Sequence, residues 1–352
     1  MVSSVDNNAE ATDSGSGAAK RILMLGGTGT IGRATVAALI ERGYRVVCIA
    51  RQKAGVGRKL TQDKITEMLH GAEVRFGDVK DKGFLAEQVF QHEGQPQKFD
   101  AVVSCMASRT GEPDDAWAID YQAQANVLAL AKESGVIQMV LLSAICVQKP
   151  LLVFQHAKLA LEKELQESGL TYSIVSPTAF FKSLAGQVER VKNGKAFLTF
   201  GDGTLTACKP ISDRDLANYI ADCLDKPSLQ DRILPIGGPG PALTQREQGE
   251  ILFKLVGREP KFKSVPASLL SRIAAVMEAI GKVIKPVAAK AELARIGHYY
   301  ATESMLALNP ETGEYDADAT PETGTDTLGD YFQRLVEGNE KAERVDVAMF
   351  SD

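Results

Sequence analysis

The stretch "RILMLGGTGTIGRATVAALIERG", residues 21–43, constrains the fold more than any other feature of the chain. A short apolar run ends in a glycine-rich turn and passes directly into an amphipathic pattern of helical period. Gly26, Gly29 and Gly32 stand at GxxGxxG spacing, with Thr28, Thr30 and Ile31 between them. Glycine there allows a tight turn and lets backbone approach a pyrophosphate, which the free N–H groups and dipole of a helix N-terminus favour. Between a strand and a helix, at the start of a βα series, the motif predicts a dinucleotide site.

The series continues. "YRVVCIAR", "AEVRFGD", "FDAVVSCMAS", "QMVLLSAICV" and "TYSIVSP" are further apolar strands, with helices over Asp120–Ser134 and through "FQHAKLALEKELQESG". Continuous apolar strands alternating with helices predict a parallel sheet covered on both faces. Beyond Pro177 the pattern loosens: "KAFLTFGDGTLTACKPIS" reads as a short hairpin and connector, and "DRILPIGG" as one more strand rejoining the sheet. The predicted fold class is α/β, a Rossmann-type doubly wound parallel sheet with a smaller C-terminal substrate lobe. Its parts are a disordered tail (1–19), an NADP-binding Rossmann domain (20–181, its sheet completed by about 211–238), a lobe from 182–210 and 239–336, and a second tail (337–352).

Composition removes several functions. A net charge of −5 argues against nucleic-acid binding, which needs a basic face. Five cysteines form no CxxC pair, which suits free thiols, and four histidines stand at no mutual ligand spacing, so no metal site is expected. The first twenty residues have no apolar core and lack the arginines of a transit peptide, so neither a signal nor a transit peptide is expected.

The second strand selects the cofactor. An NAD site usually places an acid about 20 residues after the turn, on the ribose 2′-hydroxyl. Here Arg51 follows the strand, with Lys53 and Arg58 beyond it. A guanidinium grips a 2′-phosphate that a carboxylate would repel, so NADPH is the expected cofactor. Asp78 is expected at the adenine edge, and Ser104 at the end of the fourth strand beside the cofactor.

Ser143 closes the fifth strand and Lys158 follows fifteen residues later on the next helix. This layout resembles the short-chain dehydrogenase/reductase family, whose set is Ser, Tyr and Lys with Tyr-xxx-Lys spacing. In that family the lysine lowers the tyrosine pKa and binds the nicotinamide ribose. Here the tyrosine position holds Phe154, so the chain resembles an atypical branch and carbonyl–alcohol chemistry is put in doubt. The segments "VSCMASRTGEP", "LLSAICVQKPLLVFQHAKL", "YSIVSPTAFFKSLAGQVE", "LPIGGPGPALTQREQGE" and "YYATESMLALNPETGEYDADATPETGTDTLGDYF" resemble the divinyl chlorophyllide 8-vinyl reductases of phototrophs over roughly residues 20–335. The resemblance implies an enzyme that uses NADPH to reduce the 8-vinyl group of divinyl chlorophyllide or divinyl protochlorophyllide to ethyl. It also implies a phototrophic source, and a cytoplasmic bacterial protein with possible peripheral membrane contact is the expectation.

Within that reading Lys158 is a catalytic and ribose-binding candidate, against the blander reading of a helix lysine facing water. Ser143 is the second catalytic candidate. Phe154 lines the pigment or nicotinamide, or simply packs. Phe180, Phe181 and Lys182 past the sixth strand suit a flat pigment with a carboxylate tail, or else two core phenylalanines. The segment 269–297 is amphipathic with Arg272, Lys282, Lys285 and Lys290 beside its apolar side, a lid or core helix or else a membrane-surface helix. Two other functions fit the same residues: an isoflavone-reductase-like NADPH-dependent reductase, and a non-catalytic NADP-binding sensor or assembly protein.

Overall fold

Seven strands form the central sheet of the computed structural model, which describes residues 19–53, 60–281 and 285–341. They are β1 (Arg21–Leu25), β2 (Arg45–Ala50), β3 (Glu73–Phe76), β4 (Ala101–Ser104), β5 (Gln138–Leu142), β6 (Thr171–Pro177) and β7 (Arg232–Ile236). All pair in parallel in the order β7-β6-β5-β4-β1-β2-β3. The chain reverses direction of travel across the sheet between β1 and β4, the switch point where such sheets bind ligands. The tail up to residue 18, Arg58, and the side chains of Lys282, Lys285 and Lys290 lie outside the described residues.

The helices are α1 (Thr30–Glu41), α2 (Ala123–Glu133), α3 (Val153–Gln166), α4 (Asp213–Asp222), α5 (Gln245–Val256), α6 (Ala267–Gly281), α7 (Lys285–Thr302) and α8 (Leu328–Glu337), besides shorter turns. Strand alternation splits the core in two. Ile22 and Met24 of β1 face the layer that holds α1 and α4, while Leu23 and Leu25 face the layer of α2 and α3. Both sides of β1 are closed to water, which explains why its sequence is apolar without alternation.

After β6 the chain builds a second core from Phe181, Val188, Phe197, Leu252, Phe253, Leu328 and Phe332. The expected hairpin over 195–212 does not form. Phe197–Phe200 pairs in parallel with Phe262–Val265, and Ala207–Cys208 pairs antiparallel with Leu243–Thr244. A local turn signal suggested a local partner, but the apolar strand found burial against residues more than sixty positions away. The segment 269–297 is likewise two helices, α6 and α7, packed against each other. On α6, Leu269, Val276 and Ile280 are exposed along one stripe, with Arg272 exposed beside it. No helix among the described residues is long and apolar enough to cross a membrane.

Candidate active site

The turn after β1 has the shape its glycines predict. Gly26 sits at φ 76°, and a Cβ there would lie 2.6 Å from the Cys105 carbonyl oxygen. A Cβ on Gly32 would lie 2.0 Å from the carbonyl oxygen of Gly26, so α1 enters against the turn itself. Gly29 differs: a Cβ there would meet only the Gly26 oxygen, at 3.4 Å, leaving the outer side of the turn open. No side chain caps α1, and its first turn carries no acid, so its leading N–H groups face that open side without a carboxylate. The residues present fit a dinucleotide diphosphate.

Arg51 and Lys53 are exposed just past β2, and Asp78 is half exposed past β3, where its carboxylate accepts from the Lys80 backbone N–H at 3.0 Å. Ser104 is fully buried and donates to the Gln124 side chain, so it braces β4 from within. Lys182 stands past β6 and reaches back to α1. Its ammonium donates to the Thr30 hydroxyl at 2.6 Å, which brings a cation from beyond β6 to the first residue of α1. Phe181 is 4% exposed and stacks on Tyr331 with ring centroids 5.4 Å apart, so it belongs to the second core. Phe180 is half-buried against the α1 and α4 layer, and Phe154 is half-buried among Cys146, Leu152, Ile296 and Tyr299. Phe154 thus meets α7, whose Glu292 also accepts from the Val153 N–H at the start of α3 at 3.2 Å.

Ser143 and Lys158 come together as their spacing requires, lining one narrow interior gap with Asp120, Gln124 and Leu161. Both are buried, Lys158 at 8% exposure, which removes the reading of a water-facing helix lysine. Two carboxylates that sequence reasoning missed share this interior. Asp120, 1% exposed, pairs with the Lys158 ammonium at 3.2 Å and accepts from both the Ser108 hydroxyl and its backbone N–H. Glu162 accepts a hydrogen bond from the Ser143 hydroxyl. Burial pushes the Glu162 carboxyl above its ordinary range, against the opposing pull of the Ser143 hydrogen bond and the Lys158 charge.

Asp120 could not have been singled out from its neighbours. It lies on a π-helical run, Trp117–Gln122, that precedes α2 and turns the residue inward. Such single π turns inside helices recur at functional sites, but no α-helical periodicity predicts which residue they bury. Glu162 had a usable signal, since it lies one turn after Lys158 on the same face of α3.

With this geometry in place, comparison with known proteins decides the family. A family described as NAD(P)H-binding matches residues 26–227. A divinyl chlorophyllide a 8-vinyl-reductase, chloroplastic, from Arabidopsis thaliana is 51% identical over 321 residues, covering 90% of this chain and 76% of that protein. The chain belongs to the divinyl chlorophyllide a 8-vinyl-reductase family. The Cucumis sativus 8-vinyl-reductase is also 51% identical, over 90% of this chain and 76% of its own. Among solved structures, a UDP-glucose 4-epimerase from Thermotoga maritima matches with TM-score 0.63 at 19% identity, covering 90% of this chain and 97% of that one. At that identity it speaks for the fold alone. These 8-vinyl-reductases are named as chloroplastic, which overturns the expectation of a bacterial cytoplasmic protein.

Proposed function

We propose that this chain reduces the 8-vinyl group of divinyl chlorophyllide to ethyl with NADPH, in a plastid. Membership of the 8-vinyl-reductase family carries this reading. Phe154 at the position of the usual catalytic tyrosine is consistent with it. When bound, the reduced nicotinamide supplies a hydride; the charge left on a conjugated vinyl group spreads over the macrocycle, so no hydroxyl is needed to hold an oxyanion. The open side of the turn at Gly29 and the N–H groups of Thr30, Ile31 and Gly32 hold the diphosphate, with Thr28 beside them. Arg51 and Lys53 supply the positive charge for a 2′-phosphate. Lys158, held by Asp120, orients the nicotinamide ribose, and Phe154 and Phe180 offer apolar surface to the ring systems.

The test is direct. Purified protein is incubated with divinyl chlorophyllide and either NADPH or NADH, and the pigments are separated by chromatography. An 8-ethyl product formed faster with NADPH supports the reading, and no 8-ethyl product with either nucleotide overturns it. A non-catalytic NADP-binding sensor would bind NADPH without turnover.

The Lys182–Thr30 contact adds a narrower expectation. Lys182→Ala should raise the KM for NADPH roughly tenfold while the pigment KM moves less than about twofold, and Lys182→Arg should recover most of the loss. The opposite split would return Lys182 to the pigment's carboxylate. Peripheral membrane contact rests on the exposed stripe of Leu269, Val276 and Ile280. Flotation with anionic vesicles should recover the wild type and lose the triple serine variant; equal behaviour of the two removes the idea.

A further inference from the structure

Glu162 is a buried ionisable group to which the reading above gives no task. It is 3% exposed, and its hydrogen-bond partner among the described residues is the Ser143 hydroxyl. Its situation contrasts with that of Asp120. Asp120 has an ammonium at 3.2 Å and two donors from Ser108, the equipment a buried carboxylate needs. Glu162 has one neutral hydroxyl and no ion pair among the described residues. The charged groups around it are Lys158, one turn back on α3, and Asp120, to which Lys158 is already paired. A single neutral hydrogen bond does not offset the cost of taking a carboxylate out of water, so the un-ionised acid is the favoured state.

Lys158 is the alternative source of a proton, and its geometry argues against that use. If its ammonium gave up a proton, Asp120 would be left buried with its charge unpaired. Ser143 has no such constraint. It lines the same narrow interior gap as Lys158 and Asp120, and its hydroxyl is bonded to Glu162.

We propose that Glu162 is an un-ionised acid in the resting protein and is the proton reservoir of the vinyl reduction, acting through Ser143. The inference rests on the 8-vinyl-reductase reading. The bond changes balance as follows. The terminal vinyl carbon gains hydride and becomes the methyl carbon, as the C=C pair moves into the macrocycle. The inner vinyl carbon then gains a proton from the Ser143 hydroxyl, and Ser143 regains one from Glu162. Glu162 is left as a carboxylate near Lys158, and takes a proton from water after the product leaves. Ser143 is the group that touches substrate; Glu162 positions and recharges it.

The experiment joins a spectroscopic readout to a kinetic one. Infrared spectroscopy of the cofactor-free wild type at neutral pH should show a protonated-carboxyl stretch that is missing in Glu162→Gln. In turnover, Glu162→Gln should lower kcat by about a hundredfold or more, the range of general-acid effects, with both KM values within about twofold. The wild-type kcat should fall as pH rises through the raised Glu162 pKa, a limb that Glu162→Gln loses and Glu162→Asp regains. A wild type lacking the infrared band, or a Glu162→Gln variant with wild-type kcat, overturns the proposal. Failure of the wild type to form 8-ethyl pigment overturns the vinyl-reductase reading and this role together, whereas wild-type turnover with an indifferent Glu162 overturns this role alone.

Discussion

Gly32→Ala should weaken nicotinamide-cofactor binding by more than about a hundredfold, or roughly 2.7 kcal/mol. The added methyl would stand 2.0 Å from the Gly26 carbonyl oxygen, and that oxygen has nowhere to go. Gly26 is already at φ 76° with no room for a Cβ against the Cys105 backbone, so the turn has little space to back away toward the chain after β4. The start of α1 must shift instead, carrying the N–H groups of the anion site with it. Overpacking of this kind also costs about 1–3 kcal/mol of stability, so Tm should fall. Gly29→Ala provides the control. Its methyl would meet only the Gly26 oxygen at 3.4 Å, so the fold and Tm should hold while cofactor affinity falls, because the methyl occupies the open side of the turn. Calorimetric titration and thermal unfolding of the two variants separate these effects. A Gly32→Ala protein that binds cofactor like the wild type would mean that the turn is not the diphosphate site.

Removing Lys158 should have the second large effect, on two separate quantities. Lys158→Ala leaves Asp120, 1% exposed, without its ammonium. Breaking a buried pair from one side costs about 3–5 kcal/mol, so urea unfolding should shift by that amount. Turnover should drop by about a hundredfold, because the nicotinamide ribose loses the cation that orients it. Lys158→Arg keeps the charge and should retain most of the stability, with partial activity. In the double variant Lys158→Met, Asp120→Asn, stability should return toward wild type because no unpaired charge remains, yet activity should not. That combination separates the lysine's part in turnover from its part in folding. Wild-type turnover by Lys158→Ala would deny the lysine any catalytic role.

The cofactor half of the molecule was legible because its signals are local. A glycine motif between an apolar strand and an amphipathic helix fixes the turn through φ angles and van der Waals contacts a few residues apart. The Ser143–Lys158 pairing was legible too, since a strand end and a following helix meet at a predictable place in a βα unit. The surroundings of the residues past β6 were not legible in the same way. Phe181 went to the second core because Tyr331, 150 positions later, offered it a stacking partner, and Lys182 reached back to Thr30. Nothing near "PTAFFKS" records either partner.

The sequence by itself determined the parallel βα character of a nucleotide-binding sheet, its glycine turn and the family, because each is written in short-range pattern or in long stretches of matching text. Only the tertiary structure decided the ionic character of the site. Asp120 is turned inward by a π-helical run and Glu162 is sealed beneath Ser143, and what each carboxyl does depends on burial and on partners brought from elsewhere in the chain. Desolvation and pairing are properties of the packed interior, and a one-dimensional pattern of charges does not contain them.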